Sequence, residues 1–89
     1  MEELIRGERE LSPDAVSVSV LENYILRVRF VNGELRDFDA KPLLNRKCYA
    51  ELNNEIIFQT ARAEYGTIVW ANGCDLDPDW LYEDSVPVN

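Results

Sequence analysis

The run Tyr24-Ile25-Leu26-Arg27-Val28-Arg29-Phe30-Val31 alternates apolar and polar side chains and ends at Asn32-Gly33. No other feature constrains the fold as strongly. Period-2 alternation marks a strand with one face buried, and Asn-Gly is the dipeptide that best tolerates the positive φ of a tight hairpin turn. A type I′ two-residue turn would set Phe30 opposite Leu35 and Arg29 opposite Arg36, with Arg27 on the same solvent face beside Phe38.

Val16-Ser17-Val18-Ser19-Val20 alternates in the same way. To place its valines on the face of Leu26, Val28 and Phe30, the connection needs an odd-length loop, such as three residues around Glu22-Asn23, with a bulge. Ser12-Pro13-Asp14 breaks the chain before this strand. Residues 1–12, rich in charge and without a clean period, are expected to form a flexible arm, and 13–89 a single domain.

Asp39 is placed to cap a helical segment, with Pro42 inside its first turn. Leu43, Leu44, Tyr49 and Leu52 form an apolar stripe that Asn45-Arg46-Lys47 divides into two short helices before Asn53-Asn54. Ile56 to Glu64 reads as a fourth strand and Tyr65-Gly66 as the turn into Thr67-Ile68-Val69-Trp70. A second Asn-Gly turn, Asn72-Gly73, leads to a terminal helix capped by Asp77 with Pro78 at its first position.

The expected fold class is α+β, an antiparallel sheet of four or five strands in a meander of hairpins, with one or two short helices packed on it. Its core is expected to hold Val16, Val18, Leu26, Val28, Phe30, Leu35, Leu44, Leu52, Phe58, Ile68 and Trp70. With 89 residues and 46% apolar side chains, one core fits and a second domain does not.

Histidine is absent and the net charge is −8. Together these exclude histidine acid/base chemistry and histidine metal ligands, and they argue against direct nucleic-acid binding. The acidity is uneven. Residues 1–50 carry eight cationic and nine anionic side chains, whereas 51–89 carry Arg62 against eight carboxylates. A partner with a basic surface is the expectation this asymmetry raises.

The acidic start and the lack of a long apolar run give neither a signal peptide nor a membrane span, so the chain reads as cytoplasmic. Cys48 and Cys74 are too few for a disulfide scaffold and lack CxxC spacing, which reads as two reduced, inert thiols. Asp75, Asp77 and Asp79 have the spacing that opens a calcium loop, but Trp80 and Val86 stand where that loop needs glycine and glutamate. No metal, cofactor or catalytic residue is assigned.

Two candidate surfaces remain. Arg27, Arg29 and Arg36 share the solvent face of the second hairpin in the two-residue register and form an anion or partner patch, which Arg46 and Lys47 would enlarge if they folded back. Trp70, Asn72, Asp75, Trp80 and Tyr82 form a recognition surface with aromatic anchors in the acidic half. A non-enzymatic protein-binding module follows from these. The alternative is a small-anion-binding protein or enzyme that uses Asp37, Asp39 and Asp75 with an arginine clamp. Self-association through an edge strand or through the Trp80 and Tyr82 region is a third reading.

The pattern Leu26-x-Val28-x-Phe30-x-Asn32-Gly33-Glu34, Phe38-Asp39, Pro42-Leu43-Leu44, Tyr49, Leu52 and Phe58 continues through Gly66-Thr67-Ile68-Val69-Trp70-x-Asn72-Gly73-x-Asp75-Leu76-x-Pro78-x-x-Leu81-Tyr82. It resembles the small bacterial domain-of-unknown-function family DUF2442 over about residues 14–83, with Ala71 where members often have proline. The resemblance implies a compact α+β domain, sometimes fused to a helix-turn-helix and often encoded beside another short protein. It implies no activity. A chain ending at Asn89 has no room for the helix-turn-helix, so any link to DNA would run through a partner, and the paired-gene setting suggests a regulatory or antitoxin-like subunit.

Overall fold

The computed structural model describes residues 12–88. Strands β1 (Ala15–Val20), β2 (Ile25–Phe30), β3 (Leu35–Asp39) and β6 (Val86–Pro87) form one antiparallel sheet in the order β1-β2-β3-β6. Strands β4 (Arg62–Glu64) and β5 (Thr67–Val69) form a separate two-stranded sheet. Three 3-10 segments (Glu22–Tyr24, Lys41–Leu43 and Lys47–Asn53) and two short helices, α1 (Glu55–Phe58) and α2 (Pro78–Asp84), complete the α+β fold. The expected arm lies outside the described residues apart from Ser12.

The odd-length first hairpin is present. Leu21 N–H donates to the Ile25 carbonyl (2.8 Å), which leaves a three-residue loop of Glu22, Asn23 and Tyr24. Asn23 and Tyr24 adopt φ near +60°. The parity brings Val18 opposite Val28 and Val20 opposite Leu26. A bulge between Ala15 and Ser17 changes the expectation for Val16, which is 51% exposed and not in the core. Ala15 and Ser17 face the adjacent residues Phe30 and Arg29, so Val16 is the extra residue of the bulge.

The second hairpin corrects the two-residue turn. Phe30 N–H donates to Glu34 O and Gly33 N–H to Phe30 O, both at 2.9 Å, so the loop is Val31-Asn32-Gly33. Asn32 Oδ1 accepts the Glu34 N–H at 3.0 Å, and Gly33 takes φ +93°. This third loop residue shifts the register by one. Arg29 pairs with Leu35, Val28 with Arg36, Arg27 with Asp37 and Leu26 with Phe38. The shift buries Phe38 to 2% exposure beside Leu26 and replaces an Arg–Arg cross-strand pair with Arg27–Asp37.

Asn72-Gly73 repeats this geometry. Trp70 N–H donates to Cys74 O, Gly73 N–H to Trp70 O, and Asn72 Oδ1 accepts the Cys74 N–H. The Tyr65-Gly66 turn joins β4 to β5 as expected, with both residues at positive φ.

The expected fourth strand starts too early. Residues 55–58 are a helical turn because Asn54 accepts the Ile56 N–H through its side chain, and only Arg62–Glu64 are extended. A local cap and the burial of Phe58 override the β-branched preference of Ile56-Ile57. The apolar stripe after Asp39 does divide in two, but both pieces are 3-10, and Asp39 bonds the Lys41 N–H just ahead of the first. β6, which sequence reasoning missed, pairs with β3 through Arg36 and Asp37.

The core lies between the large sheet and the segments crossing one of its faces. Leu26, Val28, Phe30, Phe38, Leu43, Leu52, Phe58, Ile68, Trp70, Leu76 and Leu81 are buried there. Val18 and Leu44 pack on it half-buried, and Leu35, expected inside, is half-buried on the opposite face beside Arg29. Trp70 is 0% exposed, stacks on Phe58 (6.1 Å between centroids) and donates its Nε1–H to Phe58 O. α2 lies across the same sheet face through edge-on contacts of Trp80 with Phe38 and Tyr82 with Phe30. Asp77 starts it by accepting the Asp79 and Trp80 N–H groups.

Candidate functional site

Parity in the first hairpin decides which backbone groups of β1 lack a partner. Leu21 and Ile25 form a hydrogen-bonded pair, so along β1 the groups of Ser19 and Ser17 also turn toward β2. Those of Val18 and Val20 turn outward. β1 is an edge of its sheet, but its outer side is not open: β4 runs close beside it without forming a paired ladder.

Beside that edge lies an open groove of about 780 Å³. Phe58 is its buried lining residue, Val18, Val20, Leu21, Tyr24 and Ala61 are half-buried, and Glu22, Asn23, Lys41, Glu55 and Gln59 stand exposed around it. β1 meets the β4–β5 hairpin where Ala15 N–H donates to Gly66 O at 2.9 Å, and the two sheets share no strand pairing.

The groove lining is mixed, with Val18, Val20, Leu21, Tyr24, Phe58 and Ala61 beside Glu22, Asn23, Lys41, Glu55 and Gln59. Lys41 is already engaged, its Nζ 3.0 Å from Asp39 Oδ1 and 3.0 Å from Asn23 O. Glu22 and Glu55 have no ion-pair partner among the described residues. Sequence reasoning passed over both, because Glu22 reads as loop and Glu55 as linker.

The structure does not bring the arginine patch together. Arg27 and Arg29 share the face away from the core, and Arg27 is held by Asp37 through two bonds of 2.8 and 3.0 Å. That contact holds the Asp37 carboxyl below its ordinary range. Arg36 lies on the other face, because the one-residue register shift moves it there with Phe38. Its Nε donates to Ser85 Oγ (2.8 Å), Nη2 to Ser85 O (2.7 Å) and Nη1 to Glu34 (3.1 Å). Arg46 is no reinforcement: its guanidinium lies 5.5 Å over the Trp80 ring, on the α2 side.

The carboxylates of the arginine-clamp alternative are likewise separated in their roles. Asp37 serves Arg27, Asp39 binds Lys41, and Asp75 is exposed beyond β5 with its carbonyl accepting the Tyr49 hydroxyl at 2.6 Å. Burial raises the Tyr49 phenol, and the nearby Asp75 and Asp77 charges add to the shift.

The aromatic recognition set does not form one surface either. Trp70 is corrected from anchor to core residue. Asn72 bonds Cys74 N–H, Glu51 and Cys48 O, which is turn and loop architecture. Tyr82 is half-buried, donates to Glu34 at 2.8 Å and carries Arg36 on its ring face. Trp80 is half-buried against Phe38, with its Nε1–H bonded to Asp84.

The cysteines are a further correction. Cys48 and Cys74 are joined by a disulfide, their Cα atoms 6.0 Å apart and 26 residues apart in sequence. Spacing along the chain could not reveal this, because the second Asn-Gly turn carries Cys74 back against the 3-10 segment that holds Cys48.

Among the described residues no group of three or more His, Cys, Asp or Glu side chains is placed to hold a metal, and no helix is long and apolar enough to cross a membrane. No curated protein and no solved structure matches the chain. Residues 15–87 match the model of a family described as protein of unknown function, DUF2442, and the chain belongs to that family.

Proposed function

We propose that this member of the DUF2442 family is a non-enzymatic protein-binding module whose partner presents a basic surface, and that the groove beside β1 is where the partner binds. The observation that carries the reading is a groove of about 780 Å³ with mixed apolar and polar lining, beside two exposed carboxylates, Glu22 and Glu55, that have no ion-pair partner among the described residues. Apolar lining supplies affinity, and surrounding charge supplies steering and selectivity. The wider charge distribution acts in the same sense, since Glu51, Glu55, Asp75, Asp77, Glu83 and Asp84 are exposed while Arg62 is bound to Glu64.

The anion-clamp alternative loses support because Arg27 and Arg36 stand on opposite faces with partners of their own. The regulatory or antitoxin-like role belongs to the same proposal, with a neighbouring small protein as the partner. So does a cytoplasmic location. Disulfides are rare in the cytosol, and a count of free thiols in extracts prepared under acid quench distinguishes a cytosolic, reduced chain from one carrying the Cys48–Cys74 bond.

Purification from source cells under gentle, low-salt conditions tests the function. A stoichiometric protein partner that dissociates as salt is raised is the expected result. Recovery of the chain alone would sink the reading.

A further inference from the structure

The two Asn-Gly turns are near copies of each other. Gly33 and Gly73 take φ +93° and +90°, their N–H groups donate to Phe30 O and Trp70 O at 2.9 and 3.0 Å, and each asparagine Oδ1 accepts the N–H two residues on at 3.0 Å. They differ at the other amide atom. Asn72 is half-buried, and its Nδ2 donates to Glu51 Oε1 at 2.7 Å and to Cys48 O at 3.3 Å. Asn32 is exposed, and beyond its turn bond its amide is the least of the contacts that shape Glu34 and Tyr82.

We propose that Asn32 is a site of spontaneous modification, where the chain converts its own asparagine to aspartate or isoaspartate, and that the fold protects Asn72 from the same reaction. Glycine as the next residue permits it, since with no Cβ its backbone nitrogen is open to the side chain before it. The Gly33 nitrogen loses its proton to hydroxide and attacks Asn32 Cγ. A C–N bond forms, the bond to Nδ2 breaks, and ammonia departs with a proton taken from water. A water molecule then opens the cyclic imide at one carbonyl to give aspartate, or at the other to give isoaspartate.

Ring closure requires the asparagine side chain to leave its bonds and bring Cγ onto the glycine nitrogen. At Asn32 the bond to the Glu34 N–H opposes that rotation. At Asn72 the bonds to Glu51 and Cys48 O must break as well, which should slow the reaction at least ~10-fold. The product acts on its surroundings. Isoaspartate adds a backbone carbon to the Val31-Asn32-Gly33 loop, which sets the β2–β3 register, and either product places a new carboxylate beside Glu34. Like charge there opposes the ionised Glu34 that receives Tyr82 and Arg36, so the modified turn loosens the corner between β3 and α2.

Peptide mapping by mass spectrometry, with aspartate and isoaspartate resolved chromatographically, follows both sites in the folded chain at mildly alkaline pH. Asn32 should react at least ~10-fold faster than Asn72. In urea, where the fold no longer distinguishes two Asn-Gly sequences, the rates should converge. E51A removes the 2.7 Å bond and should speed Asn72 at least ~3-fold while leaving Asn32 unchanged. Modified chain, separated by its added negative charge, should unfold at a lower urea midpoint than fresh chain. Equal rates in the folded chain, faster reaction at Asn72, or no reaction at Asn32 while the unfolded chain reacts would overturn the proposal. A rate at Asn72 that E51A leaves unchanged would contradict the protection, and an unchanged midpoint would contradict the loosening of the corner.

Discussion

The Arg36 guanidinium lies 4.3 Å from the centroid of the Tyr82 ring, and both side chains donate to one atom, Glu34 Oε1. Arg36 also holds Ser85 by two bonds, so a single side chain ties β3 to α2 and to the start of β6. R36A should cost about 2 kcal/mol, from charge-assisted hydrogen bonds and the lost cation–π contact. A urea titration reads this as a lower midpoint at unchanged slope. An unchanged midpoint would mean that Arg36 is a free surface cation.

Acid should weaken the same corner. The Glu34 carboxyl is held below its ordinary 4.5, first by the Tyr82 hydroxyl and then by Arg36, and Asp37 is held below its ordinary 3.8 by Arg27. A depressed folded-state pKa contributes stability that is present above the ordinary value and is lost as pH falls through the folded one. Stability should therefore decline below about pH 4.5, and E34Q should flatten the upper part of that decline. Tyr82 has the opposite sign. Its hydrogen bond to Glu34 raises the phenol above 10.0, so its contribution should fade on the alkaline side of that value.

The strands around the two Asn-Gly turns were legible because alternation and turn chemistry act locally. What escaped was register. Two- and three-residue loops share the Asn-Gly signature, and the choice between them depends on whether Leu35 and Asp37 or Arg36 and Phe38 take the core face, which packing of Phe38 against α2 decides. The arginine patch was an error of one residue, enough to send Arg36 to the opposite face. Trp70 was correctly expected in the core and could not also serve as an exposed anchor. The groove was hidden because its lining comes from β1, the first hairpin loop, Lys41 and α1, segments that only folding brings together.

Reduction of the Cys48–Cys74 bond should lower stability by about 3.5 kcal/mol, the chain-entropy value for a loop of this length. Calorimetry with and without a thiol reductant should show a clear drop in Tm. The C48S/C74S variant should melt at the reduced value in both conditions. Equal melting of the oxidised and reduced wild-type chain would count against the cross-link as a stabilising element.

The twin turns predict unequal costs for the same substitution. Asn32 supplies one turn bond, to Glu34 N–H, whereas Asn72 supplies the matching bond to Cys74 and further bonds to Glu51 and Cys48 O. N72A should therefore destabilise by about 1–2 kcal/mol and N32A by about half as much, given roughly 1 kcal/mol for each ordinary bond and less at exposed sites. Parallel denaturant titrations of the two variants give the ordering. A larger cost at Asn32 would contradict the structural role assigned to Asn72.

The groove beside β1 as the partner site is tested most directly by native mass spectrometry of the chain and of E22K/E55K, each purified from source cells at low salt. The wild-type chain should carry a stoichiometric basic protein, and the double variant should lose it while melting at an unchanged temperature. Equal recovery of partner by both chains, or a bare wild-type chain, would contradict the account.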